Sequence, residues 1–192
     1  GDWVWSGSAV VDAGNTSGWK RGDEETIVAA FTSTSRGECI AYSNDRGRTW
    51  TKYAGNPVVP NTKKIKDFRD PKVIWDEGSN QWVMVFAAQD HVKIWGSNDL
   101  KKWNHLSDFG QSVGAHGGVW ECPDFFPMTI EGSNEKRWVL LQSLNPGSPN
   151  GGSGTQYFVG NFDGKTFTLD PAFSGSAKKG SGVWLDWGRD NY

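Results

Sequence analysis

Cysteine is almost missing from this chain: Cys39 and Cys122 are the only two in 192 residues. Two thiols cannot build a disulfide framework, so rigidity has to come from packing. Long apolar runs are missing as well, and no stretch approaches the ~18 residues that a membrane-crossing helix needs. Neither sign of charge dominates. With 20 Lys and Arg against 22 Asp and Glu, the net charge is -2, which argues against nucleic acid or an anionic membrane surface as the partner. The three histidines, His91, His105 and His116, are scattered without ligand spacing, so neither a metal site nor a cofactor is expected. Segments with a helical period are absent beyond a turn or two. The start, Gly1-Asp2-Trp3, has no initiator Met, basic region or apolar stretch, and reads as a boundary or internal cut.

Glycine and aromatics are what the chain has in excess. Glycine supplies 25 of the 192 residues and tryptophan 12, with 10 Phe and 4 Tyr; the usual glycine share is ~7%. Many turns with many aromatics suggest an all-β protein, and aromatic faces among polar groups suit a flat, hydroxylated ligand such as a sugar. The same aromatics also serve to fill a core between sheets.

Short runs rich in β-branched and aromatic residues recur about every ten residues, at 26–32, 72–75, 81–88, 92–97, 124–130 and 137–143, separated by Gly/Ser/Asn/Asp turns. Their order repeats. One unit runs from 70 to Asn98-Asp99-Leu100-Lys101-Lys102-Trp103, the next from 123 to Phe162-Asp163-Gly164-Lys165-Thr166-Phe167, and an earlier one ends in Asn44-Asp45-Arg46-Gly47-Arg48-Thr49-Trp50. Units of roughly fifty residues with four strands each are the signature of propeller blades. A β-sandwich would have strands as frequent but not this order. Propellers close with about four to eight blades, whereas this chain supplies three and one further inner strand at 183–187. The expectation is an incomplete β-propeller in which residues 1–192 form part of one domain. An open array exposes apolar sheet faces, so missing blades of the same protein are its expected partner.

Inner strands of a propeller bring their first residues to one mouth of the channel. Here those residues are Ser6, Asp70, Glu121 and Asp186. Converging carboxylates in an aromatic-lined pocket are what glycoside cleavage needs, one to protonate the leaving oxygen and another on the opposite face of the sugar. Each residue also has a plainer reading. Asp70-Pro71 is a common turn starter, Glu121 an ordinary rim residue, and Arg69 half of a surface ion pair. Lys63, Lys64 and Lys66 read as a solvated loop.

Four blocks carry a family likeness. Trp5-Ser6-Gly7-Ser8-Ala9-Val10-Val11-Asp12, Phe68-Arg69-Asp70-Pro71, Trp120-Glu121-Cys122-Pro123-Asp124 and 185–192, which begins Leu185-Asp186-Trp187-Gly188 and includes Asp190, resemble the signature blocks of glycoside hydrolase family 32 in order and spacing. That family contains invertases, inulinases and levanases. The resemblance implies a five-bladed propeller and retaining hydrolysis of β-fructofuranosyl linkages in a fructose-containing oligo- or polysaccharide, outside the cell or at its surface. By position, Glu121 matches the general acid/base, Asp70 the transition-state stabiliser and Arg69 its partner. Trp5 and Ser6 match residues contacting the fructosyl unit, with Trp replacing the usual Phe. Cys122, Asp186 and Asp190 are implied to border the substrate, and Cys122 to stay a thiol rather than bridge to Cys39. Asn15-Thr16-Ser17-Gly18 leans towards the exo-inulinase and levanase side. The family's nucleophile, an Asp in a Trp-Met-Asn-Asp-Pro-type block, has no counterpart here, so this piece alone is expected to be inactive. A binding module without catalysis is the alternative.

Overall fold

The computed structural model describes residues 1–188 and 191. Its strands form three sheets in chain order. The first orders β1 (Val4–Val11), β2 (Ile27–Ser33), β3 (Gly37–Ser43) and β4 (Thr51–Lys52), with β5 (Val59–Pro60) also on β3. The second orders β6 (Phe68–Asp76), β7 (Gln81–Ala88), β8 (Val92–Ser97) and β9 (Asn104–Phe109). The third orders β10 (Val119–Thr129), β11 (Lys136–Asn145), β12 (Gly154–Phe162) and β13 (Phe167–Leu169). Every pairing is antiparallel, and each sheet is a meander of four consecutive strands, the blade unit that the repeat predicts.

The repeated aspartate explains itself at the turn before each fourth strand. Asp45 Oδ1 accepts the Thr49 N–H at 2.9 Å, Asp99 Oδ1 accepts the Lys101 and Lys102 N–H groups at 2.9 and 2.7 Å, and Asp163 Oδ1 accepts those of Lys165 and Thr166 at 2.8 and 2.6 Å. A short carboxylate folding back on its own backbone closes a tight turn that a strand ladder cannot satisfy.

Side-chain alternation places the core. Along β7, Val83, Val85 and Ala87 face a cluster shared with the third sheet's Phe125, Leu140 and Phe158. Trp82, Met84, Phe86 and Ala88 face the opposite cluster, shared with the first sheet's Val28, Ala30 and Ile40. The middle sheet is therefore packed on both faces, which is why its strand reads as a continuous apolar run rather than an alternating one. The outer sheets are covered on one side. Trp3, Val4 and Trp5 at one end, and Met128, Leu185 and Trp187 at the other, are exposed.

Two elements differ from the sequence reading. A one-turn helix, α1 (Pro171–Ser174), follows β13, with the Asp170 carboxylate accepting the Ala172 N–H. The repeat predicts that residues 183–187 open a further blade. Strand β14 (Trp184–Trp187) instead pairs with residues 154–156 of β12, because the three-residue β13 bonds only residues 160–162 and leaves that part of the edge free.

Candidate active site

The first strands of the three sheets are neighbours, β6 packing against both β1 and β10. Each carries one extra residue close to its start. Trp5 faces Thr32 and Gly7 faces Phe31, leaving Ser6 unpaired. Arg69 faces Ala87 and Lys72 faces Val85; Glu121 faces Ser143 and Asp124 faces Leu141. A β-bulge bends its strand and re-aims the side chains beside it. Pro71 and Pro123 lie within two of these bulges, where a missing N–H leaves no gap in the ladder. Gly7 is needed in the third, since a Cβ there would sit 1.9 Å from the Ala30 carbonyl oxygen.

The residue before each proline is left-handed, Asp70 at φ 64 and Cys122 at φ 47, a conformation that L-residues adopt only when neighbours hold them. The holding bonds are specific. The Asp70 N–H donates to Thr32 Oγ1 at 3.0 Å, and Ser8 Oγ donates to the Pro71 carbonyl and accepts the Val73 N–H, both at 2.9 Å. The Cys122 N–H donates to Asp70 Oδ2 at 2.9 Å, so the second bulge clasps the first. Gln142 Nε2 donates to the Glu121 carbonyl at 2.6 Å.

These bends open a pocket of about 260 Å³ lined by Trp5, Ser6, Arg69, Asp70, Glu121 and Cys122. Arg69 sits at its centre. Its Nη2 lies 2.5 Å from Glu121 Oε1, its Nη1 2.7 Å from Asp67 Oδ1, and its Nε 3.6 Å from Asp70 Oδ2. The guanidinium carbon lies 5.1 Å from the centroid of the Trp5 ring. Side chains of Arg69, Glu121 and Asp70 are only 14%, 12% and 8% exposed. Burial pulls the Arg69 pKa down, but the charges of Glu121, Asp70 and Asp67 outweigh it and the value rises. The guanidinium thus stays charged. Burial and then the Asp70 charge push the Cys122 thiol up to about 12, and its sulfur lies 3.7 Å from Asp70 Oδ2. A site of this kind, two carboxylates and a fixed cation beside an indole face, can accept hydrogen bonds from several hydroxyls and exchange a proton with one of them.

Six of the residues singled out in the sequence therefore share one pocket. Asp186 does not join them: it is exposed on β14 opposite Thr155, and its Oδ1 accepts the Trp187 N–H at 2.8 Å. Asp190 lies outside the described residues. Cys39 and Cys122 are both free thiols. Asp67, Ser8, Thr32 and Glu38, which shape the pocket from behind, were not singled out. Among the described residues no cluster of three or more His, Cys, Asp or Glu is arranged to hold a metal ion.

Fold and pocket define a β-propeller protein, unclosed over this stretch, with a carboxylate site where its inner strands meet. Residues 1–192 match the family model described as the glycosyl hydrolases family 32 N-terminal domain, and the chain belongs to that family. It is 52% identical to a levanase of Bacillus subtilis over 98% of this chain and 28% of the relative. It is 42% identical to an extracellular exo-inulinase of Aspergillus ficuum over 98% of this chain and 40% of that protein. The crystal structure of exo-inulinase from Aspergillus awamori superimposes with a TM-score of 0.89 at 39% identity, covering 100% of this chain and 42% of that one. The chain thus spans well under half the length of these relatives.

Proposed function

We propose that the whole protein is a retaining glycoside hydrolase that releases terminal β-D-fructofuranosyl units from fructans or sucrose, of the levanase or exo-inulinase type. The observation that carries this reading is the bridge across sheets: one buried guanidinium spans Glu121 of β10 and Asp70 of β6. Glu121 acts as the acid that protonates the departing oxygen and then as the base that activates water. Asp70 accepts hydroxyl hydrogen bonds from the fructosyl ring and offsets positive charge at the oxocarbenium-like transition state. Arg69 fixes the distance between the two, and Trp5 and Ser6 form the wall against which the ring lies. A second carboxylate on the far face of the sugar, the nucleophile, comes from sequence outside residues 1–192, so these residues alone turn over no substrate. The pairing with a bacterial levanase and with fungal proteins named extracellular supports a fructan substrate met outside the cell.

The test is turnover of levan, inulin and sucrose by the whole protein and by its Glu121→Gln and Asp70→Asn variants. Each substitution is expected to lower kcat by about 10²–10⁴-fold, the usual worth of a general acid or a charge stabiliser. Near wild-type turnover in Glu121→Gln overturns the assignment, and calorimetric fructan binding without turnover in the whole protein replaces it with a binding role.

A further inference from the structure

Behind the pocket lies an acid that none of these steps uses. Glu38 of β3 is completely buried. Its Oε2 accepts a hydrogen bond from Thr32 Oγ1 at 2.9 Å, and the same Thr32 oxygen accepts the Asp70 N–H at 3.0 Å. Cross-strand pairing puts this relay in register, since Thr32 faces Trp5 on one side and Glu38 on the other. Glu38 Oε1 has no hydrogen-bond partner.

We propose that Glu38 is a positioning residue for the pocket: acting through the Thr32 hydroxyl, it fixes the acceptor that holds the Asp70 backbone and with it the direction of the Asp70 carboxylate. The inference rests on the role proposed above for Asp70. A threonine hydroxyl rotates freely unless its proton is committed. Commitment of that proton to Glu38 turns the oxygen's lone pairs to the Asp70 amide, which needs a fixed partner because its residue is left-handed. Burial holds the Glu38 carboxyl well above the ordinary range; the Thr32 bond pulls it the other way, and the Asp70 charge adds to the rise. A protonated Glu38 performs this task without setting a second negative charge beside Asp70. Glutamine has the same shape and acceptor, so it should replace Glu38, whereas alanine should not.

The experiment measures kcat, KM and Tm for the whole protein on levan or inulin, assayed well below each variant's Tm. Glu38→Gln and Thr32→Ser are expected to keep kcat within about threefold of wild type. Glu38→Ala and Thr32→Val are expected to lower kcat by about 10- to 100-fold with a smaller change in KM, as misplacement of a group acting in the transition state does. The double variant should lose no more than the worse single, because the two act in series. Unchanged kcat in Thr32→Val, which keeps the side chain's shape, overturns the proposal even if Glu38→Ala fails to fold. Additive losses also overturn it. Asp70→Asn run alongside separates the two readings: if it keeps full turnover the proposed function fails, and if it alone loses turnover only the role of Glu38 fails.

Discussion

At the scale of single residues, Arg69 and Cys122 show how one environment has opposite effects on two groups. Burial first, and then the acidic surroundings that keep the guanidinium charged, hold the thiol neutral. The sign follows from charge: a raised pKa leaves Cys122 protonated at every pH below about 12, so at pH 8 only about one thiol in 10⁴ is in the reactive form. Iodoacetamide at pH 8, followed by mass spectrometry, should leave Cys122 unmodified in the folded chain and label it readily in denaturant. Rapid labelling of the folded chain would mean that its surroundings are less acidic or more open than the pocket geometry requires. Arg69, Asp70 and Glu121 were legible because motif and blade spacing mark them. Thr32 and Glu38 were not. Their part comes from burial and from a cross-strand relay, and in sequence Gly37-Glu38-Cys39 reads only as the start of a strand after a turn.

At the scale of elements, the bulge is the unit that builds the site. The apolar pattern predicts strands from 72 and 124, whereas β6 and β10 start at Phe68 and Val119. Proline and the extra residue break the alternation there, so the pattern hides the very segment that bears Asp70 and Glu121. The Asp-containing turns, by contrast, were legible, because their chemistry is local. The segment 15–18 carries a structural load: Asp12 accepts four hydrogen bonds from Thr16 and Ser17. Gly7→Ala tests the bulge of β1. With Ala30 backbone 1.9 Å from the new Cβ, the strand must shift, and urea denaturation should show a loss of about 1–3 kcal/mol. An unchanged midpoint would mean that β1 slides without cost.

At the scale of the whole molecule, the three-unit repeat made the propeller architecture legible, while the place of β14 was not. Which free edge a late strand finds depends on how long β13 is, a matter of only a few residues. Both ends of the array carry exposed apolar side chains, with Trp3 at 71%, Val4 at 62%, Leu185 at 59% and Met128 at 54%. Large apolar side chains grouped at the open ends of an array are normally covered. Residues 1–192 on their own should therefore associate, their sedimentation coefficient rising with concentration, while the whole protein stays at one value over the same range. A chain that sediments as a monomer throughout would show that these ends need no cover. The Arg69–Glu121 ion pair joins two separate sheets, and how far apart those sheets stand is set by the apolar layer packed between them together with the clasp of the Cys122 N–H on Asp70. The layer of Val85, Phe125 and Leu140 thus acts as a spacer for the pocket above it, through which changes in buried bulk can alter the spacing of Arg69, Asp70 and Glu121 without any substitution among them.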